Sequence, residues 1–371
     1  MISLLSFSNM KPLKGKRIID FTHWLPGPYA TMLLQELGAE VIKIEPPQGD
    51  PMRAMPPLLE DGTSSRFVLL NQGKKSVCLN LKDAKQQQTC LRLMASADAV
   101  IDGFRPGVVQ RLGVHYEAIK TLNPDIVYAS LTGYGQDGPY RDHVGHDLNY
   151  AGVAGILSMT GLKQPTIPGV QIADLAGAMH TAFGVLAALW ESEKTGQGRY
   201  LDVSMTDSAF HMMALHLAEF SATGEAPNPN AMSLTGAYPC YNLYETQDGQ
   251  WLTITCIESK FWVALCERLG HPEFIPLQFD AGEQREQIFK VFREIFLSKS
   301  LSNWLEKLDP TVVPVAPANN VATAINDPQV KQRGLFQNAK LASPIAGKND
   351  QTTGKAPQLG EHNQALLSPN D

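Results

Sequence analysis

The sequence holds no CxxC pair, no G-x-S-x-G turn, no Walker A loop and no H-E-x-x-H helix. These absences argue against a zinc knuckle, an α/β-hydrolase elbow, a P-loop and a zincin metal site in turn. Cysteine is scarce and odd in number, at Cys78, Cys90, Cys240, Cys256 and Cys266. Five thiols without paired spacing make no disulfide framework. They suit core positions in a reducing compartment, so a cytoplasmic location is expected. Lys/Arg-rich runs are missing, and 31 basic against 37 acidic residues leave a formal charge of −6. That balance predicts no nucleic-acid partner, although a local basic pocket for a phosphorylated ligand stays compatible with it. No apolar run approaches the roughly 18 residues of a membrane span, and no membrane partner is expected. The apolar start Met1–Phe7 lacks a basic n-region and a cleavage site, so residues 1–9 read as an extension and not a signal peptide.

What is present is a chain of 371 residues, 43% hydrophobic and 18% charged, with 30 Gly and 25 Pro. This is the composition of a compact folded protein of two or three domains. Arg17–Phe21 reads as a strand, Pro26-Gly27-Pro28 as its break, Tyr29–Leu37 as a helix and Val41–Glu45 as a second strand. Strand, helix and strand within about 30 residues form a βαβ unit with a parallel sheet. The alternation continues through strands Ser76–Leu81, Ala99–Gly103, Asp125–Leu131 and Tyr200–Val203. Helices are expected at Asp83–Ala95, His146–Met159, Ile172–Glu193 and Thr206–Phe220. After the linker Thr223–Asn230 the texture changes. Tyr241–Glu245 and Trp251–Ile257 alternate apolar and polar residues around Asp248-Gly249, a strong hairpin signal. The expected class is α/β, with a Rossmann-like parallel-sheet large domain over 1–225 and a small α+β domain over 226–328.

Several motifs invite chemistry. Gly133-Tyr134-Gly135-Gln136-Asp137-Gly138 satisfies G-x-G-x-x-G after a strand, but Pro139 and a charged loop follow where a dinucleotide site needs a helix. His143 and His146, flanked by Asp142 and Asp147, resemble half a metal site, but no third ligand has recognisable spacing, so no metal is expected. Asp147 can cap the following helix, which would leave His146 a structural residue. Asp174 lies among small residues at a helix start. It reads equally as an N-cap or as a carboxylate that burial makes a base. Glu258 ends the strand Trp251–Ile257 on the same face as Leu252, Ile254 and Cys256, so the core side would deliver a carboxylate in need of a partner; the alternative is a strand end in solvent. Lys43, Arg53, Lys74, Lys75 and Arg105 fall near strand ends, where ligands of parallel sheets gather.

Taken in order, several segments resemble one family, the family III CoA-transferases and their racemase relatives. They are Gly27-Pro28-Tyr29-Ala30, Leu37-Gly38-Ala39-Glu40-Val41-Ile42-Lys43, Glu45-Pro46-Pro47, Lys74-Lys75-Ser76, Phe104-Arg105-Pro106-Gly107, Gly145-His146-Asp147, Ala173-Asp174 and Pro357-Gln358-Leu359-Gly360-Glu361-His362. The resemblance implies an acyl-CoA thioester as substrate and a C-terminal segment, 329–371, that returns to the large domain. It also implies an interlocked homodimer, and no cofactor beyond the coenzyme A of the substrate. Two activities compete within it. In transferases the aspartate matching Asp174 is a nucleophile that carries acyl and CoA groups in turn. In α-methylacyl-CoA racemases it exchanges an α-proton with the histidine of a Gly-His-Asp-x-Asn-Tyr motif, here Gly145–Tyr150, and a small-domain glutamate in Ile-Glu-x-x-Phe, here Glu258, supports that histidine. The segment Ser233–Tyr238 also lacks the glycine run of formyl-CoA transferases. The expected function is therefore an α-methylacyl-CoA racemase using His146, Asp174 and Glu258. An acyl-CoA:carboxylate CoA-transferase is the alternative. Arg105, with Lys43 and Arg53, is expected at the CoA phosphates. Backbone N–H groups near Asp174 are the expected donors to an enolate oxygen. The acyl group stays open.

Overall fold

A computed structural model describes residues 11–345 and 354–367 of the chain. The extension read at residues 1–9 lies outside them. The larger of two compact units comprises the chain up to Ile156, Pro168–Met213 and the segment from Pro328 on; the smaller comprises Leu157–Ile167 and Ala214–Asp327.

The larger unit is built on six strands, β1 (Arg17–Asp20), β2 (Glu40–Glu45), β3 (Lys75–Cys78), β4 (Ala99–Asp102), β5 (Val127–Thr132) and β6 (Arg199–Ser204). They lie in the order β3-β2-β1-β4-β5-β6, and every pair is parallel. A parallel sheet covered on both faces needs strands that are apolar on both faces. Accordingly every residue of β4 and β5 is buried. Successive side chains take opposite faces. Ile19, Ile42 and Val100 pack with Cys90, Leu93 and Met94, while Ile18, Val41 and Ile101 pack with Leu34, Val185 and Leu189.

Ahead of its C-terminal segment, the helices of this unit are α1 (Pro26–Glu36), α2 (Ser65–Asn71), α3 (Ala84–Ala95), α4 (Val108–Leu112), α5 (Tyr116–Lys120), α6 (Asp147–Val153), α7 (Ile172–Thr195) and α8 (Met205–His211). The whole Pro26-Gly27-Pro28 segment lies inside α1, three residues earlier than the sequence pattern suggests, because the fixed φ of proline suits a first turn. The expected helix His146–Met159 stops at Val153, and a separate 3₁₀ turn covers Ile156–Met159. Between the two, Gly155 takes a left-handed φ of 87°. The expected helix Thr206–Phe220 also divides. Its first part falls in α8, which buries Met205, Ser208 and Ala209, and its second part falls in α9 (Ala214–Thr223), which belongs to the smaller unit and has no buried residue. Although the sequence shows no long uninterrupted apolar run, α7 is long and apolar enough to cross a membrane, with a mean hydropathy of 1.5 over its best window. Half of that window is buried, and α7 packs on α1, α8, β5 and β6 as a core helix does.

In the smaller unit, β7 (Tyr241–Glu245) and β8 (Trp251–Thr255) form the hairpin the sequence announces, with Gly249 at φ 71° in its turn. A third antiparallel strand, β9 (Val315–Pro317), pairs with β8. Helices α10 (Ser259–Leu269), α11 (Glu283–Phe296) and α12 (Leu301–Leu308) close a core around Trp262, Phe292, Phe296 and Trp304, followed by α13 (Val321–Ala324). Burial pushes the thiols of Cys256 and Cys266 up to about 12 and that of Cys240 to about 11, as core cysteines require. The tail carries α14 (Pro328–Arg333), the short pair β10 (Phe336–Gln337) and β11 (Lys340–Leu341), and α15 (Asn363–Leu366). It covers the open edge of β3. His362 N–H donates to the Ser76 carbonyl at 2.9 Å, and Cys78 N–H donates to Asn363 Oδ1 at 2.8 Å. Those groups would otherwise be unpaired edge donors and acceptors.

Candidate active site

In a doubly wound sheet, ligands bind beyond the carboxyl ends of the strands, where the strand order reverses. Here that point lies between β1 and β4. A cavity of about 970 Å³ opens there within the larger unit. Its walls are Thr22–Gly27 after β1, Gly103–Pro106 after β4, Leu131–Tyr134 at the end of β5, and Arg141 with His143–His146 of the loop before α6. The first wall is locked by a close approach, since a Cβ on Gly27 would lie 2.1 Å from Thr22 Cβ.

Asp174 lines this cavity at the third position of α7. Burial, and then the neighbouring charge of Asp147, push its carboxyl up to about 7. Asp147 sits there for a structural reason. It is the first residue of α6, yet its Oδ1 accepts from Ala173 N–H at 2.7 Å and Asp174 N–H at 3.0 Å. It therefore caps α7, a helix 26 residues further on, and not the helix it begins. The two backbone donors nearest Asp174 are occupied by this cap, so the oxyanion donors expected there are not free.

His146 also lines the cavity, as the exposed residue preceding α6. Its neighbours in Gly145–Tyr150 hold each other. Asn149 Oδ1 accepts from His146 N–H at 3.0 Å, and Tyr150 O–H donates to the Gly145 carbonyl. A Cβ on Gly145 would meet the Tyr150 ring at 2.8 Å. Gly, Asp, Asn and Tyr of the Gly-His-Asp-x-Asn-Tyr motif are thus explained by architecture, and only the His146 side chain is left for chemistry.

The other expected residues part company. Arg105 lines the cavity on the β4 wall, where no acidic side chain pairs with it among the described residues. Lys43 and Arg53 do not line it. Lys43 is fully buried, bound to Asp50 at 2.9 Å and donating to the Thr22 carbonyl. Arg53 grips both oxygens of Glu45 at 2.7 Å and donates to the Pro357 carbonyl. Glu258 belongs to the smaller unit, and the expected core-facing strand end is corrected there. β8 stops at Thr255, where its partner β7 begins, and Glu258 is the exposed residue preceding α10. Strand alternation therefore no longer sets its direction.

Among the described residues no three His, Cys, Asp or Glu side chains gather to hold a metal. The His143 ring instead stacks on Tyr140 at 4.6 Å. The G-x-G-x-x-G segment opens no helix: β5 ends at Thr132, and α6 begins only at Asp147. Sequence reasoning missed two features of the site. One is the cap from Asp147 to α7, whose partners are too distant for any local pattern. The other is α2, which contributes Arg66, Leu69 and Leu70 to the lining.

Comparison with known proteins places this arrangement. The chain is 35% identical to the acetyl-CoA:oxalate CoA-transferase of Acetobacter aceti, over 96% of this chain and 95% of that one. It is 32% identical to the human succinyl-CoA:glutarate CoA-transferase, over 92% of this chain and 79% of that one. The structure of a CaiB/BaiF family protein from Brucella suis superposes with a TM-score of 0.86 at 29% identity, covering 96% of this chain and all of that one. The two enzymes carry transferase names, and neither is named a racemase. The profile described as CoA-transferase family III matches residues 13–363, and the chain belongs to that family.

Proposed function

We propose that the chain is an acyl-CoA:carboxylate CoA-transferase with Asp174 as nucleophile, and not the racemase that the sequence motifs favour. The observation that carries this reading is Asp174 in the cavity wall of a chain that is similar along nearly its whole length to enzymes named CoA-transferases; its carboxyl, raised to about 7 by burial and by Asp147, suits a nucleophile and a base alike. The transferase names of the relatives support it. The motif that pointed to a racemase loses its force, because four of its residues have structural duties.

The exchange balances without a redox partner. The Asp174 carboxylate attacks the acyl-CoA carbonyl, the C–S bond breaks, and CoA leaves as a thiolate with a mixed anhydride on Asp174. The thiolate then attacks the Asp174 carbonyl, which frees the first carboxylic acid as its anion and leaves Asp174 as a CoA thioester. The acceptor carboxylate attacks that thioester, giving a second anhydride and thiolate. Attack of the thiolate on the acceptor carbonyl releases the new acyl-CoA and restores Asp174. Each step is nucleophilic catalysis by a carboxylate, which must be ionised to begin. Arg105 is the proposed contact for a CoA phosphate, as a planar fork suits an oxyanion.

The proposal includes a second copy of the chain. An apolar helix that buries nothing needs a cover. α9 buries none of its residues and leaves Leu215 69% exposed. Light scattering at the dimer mass is the expected result.

The activity test uses an acyl-CoA with and without a free carboxylic acid, in D₂O. Transfer of CoA to the acid without α-deuterium uptake is expected. Acid-independent α-exchange that is lost in His146→Ala would instead establish the racemase.

A further inference from the structure

Basic residues near the strand ends and the cavity of the larger unit differ in their partners. Lys43, Arg53, Lys74 and Lys75 are each bound to a carboxylate, Asp50, Glu45, Asp20 and Glu40 respectively. Arg66 and Arg105 line the cavity, and neither pairs with an acidic side chain among the described residues. Among the described residues, Asp174 is the single carboxylate that lines the cavity. A concave site with three guanidiniums, of which Arg141 alone pairs with an acid, Asp142 at 3.3 Å, and one lining carboxylate suits anionic ligands.

The two unpaired guanidiniums stand on different walls. Arg105 follows β4, whereas Arg66 is on α2. Residues three and four apart share a helix face, so Arg66, Leu69 and Leu70 face the cavity together, as the lining requires. Trp24, Leu25 and Met55 also line the cavity, from the turn after β1 and the segment ahead of α2. Trp24 keeps a left-handed φ of 63°, a conformation that costs a bulky residue. A cation among apolar side chains suits a molecule with an apolar body and one anionic end.

From this we infer that Arg66 binds the distal carboxylate of a dicarboxylic acceptor acid, with its methylene body against Leu69 and Leu70. This rests on the transferase reading, in which one carboxylate of the acceptor must be free to attack at Asp174. Arg66 then determines specificity by rewarding a second carboxylate at the other end. A guanidinium matches a carboxylate with two parallel N–H···O bonds, which a lysine does not reproduce.

The test is equilibrium binding, by calorimetry, of glutarate and pentanoate, which share five carbons and differ in the second carboxylate. Glutarate is expected to bind the unaltered protein about tenfold tighter or more, the scale of one charged hydrogen-bonded contact. Arg66→Gln is expected to erase that difference, and Arg66→Lys to keep part of it. CoA binding is expected to be unchanged in both. Equal binding of the two acids, or a preference that survives Arg66→Gln, overturns the inference, and so does weakened CoA binding, which would make Arg66 a phosphate contact. The readout is independent of turnover. Failure to form an Asp174 thioester from acyl-CoA contradicts the transferase reading, while the binding data still decide the role of Arg66.

Discussion

Two neighbouring regions of the larger unit use charge in opposite ways. Around the ends of β1, β2 and β3, acids and bases interlock. Asp20 accepts from Thr22 and Thr31 and pairs with Lys74 at 3.3 Å, and Lys43 pairs with Asp50. Burial alone would raise Asp20, but the adjacent Lys43 and Lys74 hold its carboxyl at about 2. In the cavity one carboxylate stands largely desolvated, near 7, beside another carboxylate that caps its helix. The first region is electrostatically satisfied and fixes the loop that carries Thr22. The second is left unsatisfied, so a ligand can complete it. The identity of a basic residue near a strand end therefore says little about its role; the presence of an acid within reach decides it.

The comparison can be broken from the cavity side first. Asp174→Asn keeps the shape and removes the nucleophile, and transfer is expected to fall by about 10⁴-fold or more with the fold intact by circular dichroism. From the other side, Lys43→Met strands buried carboxylates. It is expected to cost about 3–5 kcal/mol in denaturant unfolding, the scale for breaking a buried pair. A smaller effect sharpens the link between the two carboxylates of the cavity. Asp174 must be ionised to attack, so the transfer rate should rise as pH increases through about 7. Asp147→Asn keeps an oxygen for the cap but removes the like charge, and the midpoint of that rise is expected to move to lower pH. Smallest of all is Lys75→Met. Its pair with Glu40 is more than a third open to solvent on the lysine side, and a change below about 1 kcal/mol is expected.

Much of the fold was legible. The apolar runs around Ile18, Ile42 and Val100 mark buried strands by composition alone, and their alternation with helices dictates the parallel sheet. Asp248-Gly249 marks the hairpin for the same local reason. What could not be read depends on contacts distant in sequence. β9 is three residues long and has meaning only beside β8. The seven residues of α2 are too few to nucleate a helix unaided, so their pattern is weak and nothing local marks Arg66. Leu157–Ile167 joins the smaller unit with no change of composition to announce it. At the site, Asp174 was legible as a small-residue-flanked acid, but its neighbour Asp147 was not. The motif around His146 suggested proton transfer because a sequence cannot tell a residue that holds a loop from one that reacts. Once Asp147, Asn149 and Tyr150 are seen holding backbone groups, the motif describes a support for the cavity wall and α7, compatible with either chemistry.

The central claim is that Asp174 becomes covalently bonded to coenzyme A. Its most direct measurement is incubation with an acyl-CoA alone, followed by hydroxylamine and peptide mass mapping. The account predicts a hydroxamate on Asp174 that requires acyl-CoA and is absent in Asp174→Asn. An unmodified Asp174 peptide, from protein that nevertheless turns over acyl-CoA, would contradict it.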